Sequence, residues 1–249
     1  MSGKNASKTG DKDFTGTKDY SEAIKLLQIG YNEAAKMLRT DVKQKEKIQS
    51  KYQQITNHPI PHTAVIGFIP CVPNAIMNIP NSMISVDRKP QKRKTLSVIY
   101  VETGSAHRPQ KYFTDAGASL LSAISLVEKS GIQTKIELGF FAGKEDNEEG
   151  GELAIGTVQI KNYGERYSFQ KVSFPLVHPS MFRRIGFKWL ETVPGITDSG
   201  FSFGYGRPAT QEDLIRELKP DRNTYLLSTE WIHDHNCSVE EILKYLEVI

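Results

Sequence analysis

TLSVIYV, residues 95–101, is apolar and β-branched with scarcely a break, the composition of a strand covered on both faces. Working outward, residues 113–130 place Ala116, Leu120, Leu121, Ile124, Leu126 and Val127 at helical spacing, and Ser130-Gly131 ends that run. QTKIELGFF at 133–141 then reads as a second strand. Strand, helix and strand within so short a stretch predict a right-handed parallel βαβ unit. The fold class is therefore α/β, a Rossmann-type, mostly parallel sheet with flanking helices.

Beyond that unit, ELAIGTVQIK alternates apolar and polar residues, which predicts an edge strand antiparallel to the second. YSFQKVSFP at 167–175 reads as a further short strand. Pro179 opens a helix whose Met181, Ile185, Trp189 and Leu190 face inward. Thr210 with Asp213 starts another helix, TYLLS at 224–228 reads as a strand, and Ser238 with Glu241 caps the last helix. The acidic loop at 142–152 and GFSFGYGRP at 200–208 read as solvated or tightly turned connections.

Before residue 95 the chain divides into three parts. Residues 1–18 show no periodicity and little to bury, so they read as a disordered arm. Residues 19–57 form a helical segment: Asp19 and Glu22 have capping spacing, Gly30 stops the first helix, and a second runs from about 32 to 53. Residues 58–94 are broken by prolines into extended pieces, with AVIGFIP at 64–70 and AIMNIP at 75–80 expected to pack on the core of the domain at 95–249.

An apolar fraction of 38% with 24% charged residues rules out a chain disordered throughout, and a net charge of +3 does not by itself signal nucleic acid. No apolar run is long enough to span a bilayer and the first twenty residues hold no signal core, so the expectation is a cytoplasmic protein without membrane contact. Two cysteines far apart in sequence fit a reducing compartment.

The stretches IGYNEAAKML, KTLSVIYVETGSAHRPQKYFTDAGASLLSAISLVEKSGIQTKIEL, and HPSMFRRIGFKWLE with GYGRP together resemble a bacteriophage- and prophage-associated family with a von Willebrand A-like core. The resemblance covers roughly residues 19–210, and no settled activity comes with it. It implies a loop after the first strand where relatives of the fold carry Asp-x-Ser-x-Ser as oxygen ligands for a hard cation. Here the loop reads Glu102-Thr103-Gly104-Ser105-Ala106. Glu102, Thr103 and Ser105 are left as an oxygen cluster for Mg2+ or Ca2+, or as a loop that merely caps the strand; no cofactor is otherwise implied.

His233, His235 and Cys237 alternate in WIHDHNC with Asp234 between them, but a tetrahedral zinc site needs a fourth ligand and no second Cys or His pair with metal spacing exists, so a polar turn is the simpler reading. No phosphate loop occurs, and the glycines of GFSFGYGRP do not follow a strand and open a helix with dinucleotide spacing. Cations concentrate at Arg88, Lys89, Lys92, Arg93 and Lys94 and at Arg183, Arg184 and Lys188, with Arg184 and Lys188 one helical turn apart. Sharing a face, the two clusters would contact a phosphate backbone or a partner protein; otherwise they are solvated charge. The sequence thus points to a phage-associated, non-enzymatic binding or accessory protein in the host cytoplasm, with another protein or a second copy as its partner. The alternative is a divalent-metal-dependent enzyme or a nucleic-acid-binding protein of the same fold.

Overall fold

The computed structural model describes residues 12–38, 42–53, 61–86, 95–102, 108–143, 153–192, 211–221 and 223–249. In chain order the elements are α1 (Lys12–Thr15), α2 (Tyr20–Ile29), α3 (Ala34–Met37), α4 (Val42–Gln53), β1 (Pro61–Ala64), β2 (Ile69–Pro70), α5 (Val72–Ile76), β3 (Met83–Val86), β4 (Thr95–Val101) and α6 (Gln110–Lys129). Next come β5 (Gln133–Gly143), β6 (Leu153–Lys161), α7 (Phe169–Val177), a π-helical turn (Met181–Gly186), α8 (Phe187–Leu190), α9 (Gln211–Leu218), β7 (Thr224–Ser228), α10 (Thr229–Asp234) and α11 (Val239–Tyr245).

The main sheet runs β6-β5-β4-β7. TLSVIYV is its inner strand, parallel to β5 on one side and to β7 on the other, while β6 closes the edge antiparallel to β5. Each strand of β4 register agrees with its composition: all residues from Leu96 to Val101 are buried. Val98 and Tyr100 join the large cluster with α6, α7 and α11, and Ile99 and Val101 meet Leu214 of α9 on the other face.

Helix α6 is covered almost all round, with every residue from Ala116 to Val127 buried. Such burial needs its hydroxyls satisfied by carbonyls: Ser119 Oγ donates to Cys237 O at 2.8 Å and Ser122 Oγ to Ala118 O at 2.7 Å. Helix α7 lies against it so closely that a Cβ at Gly117 would stand 1.9 Å from the Leu176 carbonyl. Of residues 167–175, expected as a strand, 169–175 belong to a helix instead. Ser168 caps it, and Phe169, Val172, Ser173 and Leu176 recur at helical rather than alternate spacing.

The N-terminal helices dock on this same body, since Ala23, Ala34 and Ile48 sit in its main cluster. Asp19 Oδ1 accepts from Glu22 N at 2.9 Å, and Gly30, at φ 84°, ends α2 where any side chain would strike Gln170. The second helix expected from 32 to 53 stops at Met37, because Leu38 turns extended, and helix resumes at Val42. Residues 12–18, expected as part of a disordered arm, are packed: Thr15 and Thr17 are wholly buried. The rest of that arm, 1–11, lies outside the described residues.

A small second sheet, β1-β3-β2, pairs antiparallel through β3. None of residues 61–86 belongs to either hydrophobic cluster. The expected packing of 64–70 and 75–80 on the main core does not occur: Val65, Ile66, Phe68, Ile69, Val72, Ile76, Met77 and Ile79 are all exposed.

Candidate functional site

Two places stand out, one at the carboxyl end of β4 and one on the small sheet. Strands β5 and β7 flank β4 on opposite sides, so the strand order reverses there, and open α/β sheets take ligands outside such carboxyl ends. Glu102 is the next residue. As a whole it keeps some exposure, but its Oε1 is buried and has no hydrogen-bond partner among the described residues. Burial pushes its carboxyl up to about 8, against the pull of the Arg183 guanidinium. Just beneath, the Tyr100 hydroxyl meets Thr229 Oγ1 at 3.0 Å, and burial raises that phenol as well.

Glu102 is the described member of the predicted oxygen cluster; Thr103 and Ser105 lie outside the described residues. A hard cation fits poorly around Glu102, because a neighbouring guanidinium opposes added positive charge. Among the described residues no three His, Cys, Asp or Glu side chains group as metal ligands.

Arg183 and Arg184 correct a sequence expectation. They were placed with Lys188 on a cationic surface, yet they are 2% and 0% exposed. Two adjacent arginines can be buried only where fixed acceptors meet them, and here the acceptors are main-chain carbonyls of the N-terminal arm. Arg183 donates to Phe14 O, and to Arg108 O at 2.8 Å, with its guanidinium 4.0 Å from the Phe14 ring centre and 4.4 Å from that of Phe113. Arg184 donates to Thr17 O at 2.9 Å and Lys18 O at 3.1 Å. Ser180 Oγ donates to Thr15 O, and Gln110 Nε2 to the Lys12 and Asp13 carbonyls. The pair is thus a clamp that holds residues 12–18 against α6 and the π-helical turn. Lys188 is part-exposed and pairs with Glu191 at 3.4 Å. The cluster Arg88, Lys89, Lys92, Arg93 and Lys94 lies outside the described residues.

The WIHDHNC stretch ends α10 and turns through Asn236 and Cys237, both at positive φ. His233 Nε2 contacts the Tyr112 carbonyl at 2.6 Å, and its ring stacks on Tyr112 at 3.7 Å. Cys237 Sγ lies 3.6 Å from Nδ1 and 3.9 Å from Nε2 of that ring. Near-equal distances put the sulfur off the Nδ1 lone-pair axis, which is not the alignment of a nucleophile and its base. His235 turns elsewhere, stacking on Trp231 at 3.9 Å. Of the three side chains weighed as zinc ligands, His233 and Cys237 lie together and His235 faces Trp231 instead.

The second place is residues 61–86, which contain no Asp, Glu, Lys or Arg. Its scaffold is hydrogen-bonded: Phe68 N donates to Ile84 O at 3.1 Å, Cys71 N to Ser82 O at 2.7 Å, and Asn74 Nδ2 to Asn81 O at 2.9 Å. A Cβ at Gly67 would stand 2.3 Å from Ile84 O, so the backbone there lies flat on β3. The flanking Ile66 is 84% exposed and Ile76, on α5, 79%. Large apolar side chains exposed together in one short segment on an ordered frame are candidates for an interaction surface.

The chain belongs to a family described as a domain of unknown function, DUF7192, whose model matches residues 2–249. No curated protein and no solved structure matches it.

Proposed function

We propose that this DUF7192 member is a non-enzymatic binding protein whose α/β body carries the unit at 61–86 as a docking surface. One observation carries the reading: eight large apolar side chains between Val65 and Ile79 are exposed on an uncharged, hydrogen-bonded frame outside both hydrophobic clusters. Removing such a surface from water stabilises a complex by about 25 cal/mol per Å2 before association costs. The buried Arg183 and Arg184 take no part in docking.

The test compares wild-type protein with Ile66→Asp/Phe68→Asp in an extract of the native host. The wild type is recovered in an assembly larger than its own mass, and the double variant as a single chain. Equal behaviour of the two rejects the reading.

The finer fold assignment, a von Willebrand A-like core, is supported by the β6-β5-β4-β7 order with an antiparallel edge. The proposed phage setting is supported by the resemblance of the three sequence stretches quoted above. A cation-dependent enzyme rests on the partnerless Glu102 oxygen alone. Stabilisation by Mg2+ or Ca2+ that disappears in Glu102→Ala would favour it over the binding reading.

A further inference from the structure

We infer that the carboxyl end of β4 holds a binding site for an oxyanion, a carboxylate or a phosphate group, formed by Arg183 and Glu102 and kept shut by residues 12–18. The two side chains lie within reach of each other's charge without bonding. Arg183 is 2% exposed, and its acceptors among the described residues are the uncharged carbonyls of Phe14 and Arg108, not the Glu102 carboxyl. Glu102 Oε1, likewise buried, has no hydrogen-bond partner among the described residues. A guanidinium carries five N–H groups in a planar fork, so Arg183 keeps donors for a further oxygen.

The chemistry of the pair selects the ligand. Burial pushes the Glu102 carboxyl up to about 8 even with Arg183 beside it, so at neutral pH it holds a proton to donate. A cation is repelled by the guanidinium, and a neutral ligand leaves that buried charge facing dipoles alone. An oxygen with negative charge accepts from both groups. The place is also one where open α/β sheets take ligands, because β5 and β7 lie on opposite sides of β4 and parallel to it. The π-helical turn at Met181–Gly186 carries the consecutive Arg183 and Arg184 into the interior together, and such turns recur at functional sites.

Residues 12–18 are a cover that can lift. None of them belongs to either hydrophobic cluster. The body grips their main-chain oxygens: Gln110 Nε2 reaches Lys12 O at 2.7 Å and Asp13 O at 2.6 Å, Ser180 donates to Thr15 O, and Arg184 to Thr17 O and Lys18 O. A segment with few buried apolar contacts opens locally at small cost. Arg183 links cover and site, because the guanidinium that would take the oxyanion is the one that holds Phe14 O. Its bond to a charged oxygen is roughly twice as strong as its bond to a carbonyl. Oxyanion binding and release of residues 12–18 therefore promote each other by the same factor.

The experiment is limited trypsin digestion of the full chain at neutral pH in phosphate, in acetate and in chloride of equal ionic strength, with cleavage at Lys12 and Lys18 followed by mass spectrometry. A short lysine peptide digested alongside corrects for any effect of the salts on trypsin. The expected result is cleavage about fivefold faster or more in at least one oxyanion than in chloride, saturating as its concentration rises. A response to phosphate alone or to acetate alone supports the site and identifies the group it takes. Glu102→Gln still donates an N–H and keeps the response, whereas Glu102→Ala needs about tenfold more of the anion to reach half of it. Equal rates in all three salts overturn the inference, as does the same half-saturating concentration for Glu102→Ala and the wild type. Acceleration that extends equally to Lys171, exposed on α7, reports general loosening and overturns it too. If Glu102→Ala does not fold, the comparison of salts on the wild type and Glu102→Gln decides.

Discussion

Glu102 and His178 give the chain a pH profile that one substitution should change. Glu102 is pushed from 4.5 up to about 8, chiefly by burial. The native state therefore keeps a proton that the unfolded chain has lost, so this contribution is full below pH 4.5 and declines as pH rises through 8. His178 moves the other way, from 6.5 down to about 4, again by burial, with Tyr31 and Phe174 against its ring and Nδ1 accepting from Ser180 N. Its contribution is full above pH 6.5 and is lost as pH falls through 4. Between pH 4.5 and 6.5 the two slopes offset each other. From pH 6.5 to 8 Glu102 acts alone over about 1.5 units, which removes about 2 kcal/mol. Glu102→Gln keeps the shape and cannot titrate, so the variant should hold its stability across that window. Urea unfolding at pH 6.5 and pH 8, with the m-value checked for constancy, reads the difference directly. A wild type that is flat from 6.5 to 8, or a variant that still loses about 2 kcal/mol there, refutes the assignment.

Lys161, 2% exposed, pairs with Glu128 at 2.9 Å and donates to Thr134 O at 2.7 Å. Lys161→Ala leaves the part-buried Glu128 carboxylate with its hydrogen bonds from Thr134 alone and should cost about 2 kcal/mol in urea unfolding, whereas an exposed change such as Lys171→Ala, paired with Glu165 at the surface, should cost under about 1 kcal/mol. Gly117→Ala should cost about 3 kcal/mol or more, seen as a lower melting temperature, because the added carbon meets the Leu176 backbone rather than a movable side chain. Arg184→Ala removes the donor to Thr17 O and Lys18 O; limited trypsin digestion followed by mass spectrometry should show faster cleavage at Lys12 and Lys18, with the β4–β5 region unaffected.

The parts of the fold readable from sequence were those whose cause is local. TLSVIYV declares a doubly covered strand by its own composition, and ELAIGTVQIK declares an edge by its alternation. Asp19 and Ser238 announce helix starts because a cap is made with residues three positions on. YSFQKVSFP misleads because aromatic and β-branched residues favour strands, while tertiary contact with Gly117 fixes the helix.

The candidate site was legible in part. Glu102 was singled out from its place after the first strand, but its raised pKa depends on burial in the folded body, with Arg183, far along the chain, opposing the rise. Arg183 and Arg184 look like surface charge in a sequence, since their acceptors are carbonyls of residues 14, 17, 18 and 108. The same distance hides the Lys161–Glu128 pair. For residues 64–79 the apolar letters implied packing on the main core, and the structure leaves these side chains exposed. The available clue was charge: a proline-broken stretch with no Asp, Glu, Lys or Arg, followed at once in sequence by a cationic run.

The most direct measurement is hydroxyl-radical footprinting of Ile66, Phe68, Ile76 and Met77, first in the purified chain and then in the native extract before fractionation. The account predicts strong labelling of all four in the purified chain, with Leu121 and Leu227 of the main cluster unlabelled, and protection of the four in the extract. Protection of the four side chains already in the purified, single-chain protein would contradict it, because the unit would then be packed on its own body and unable to dock.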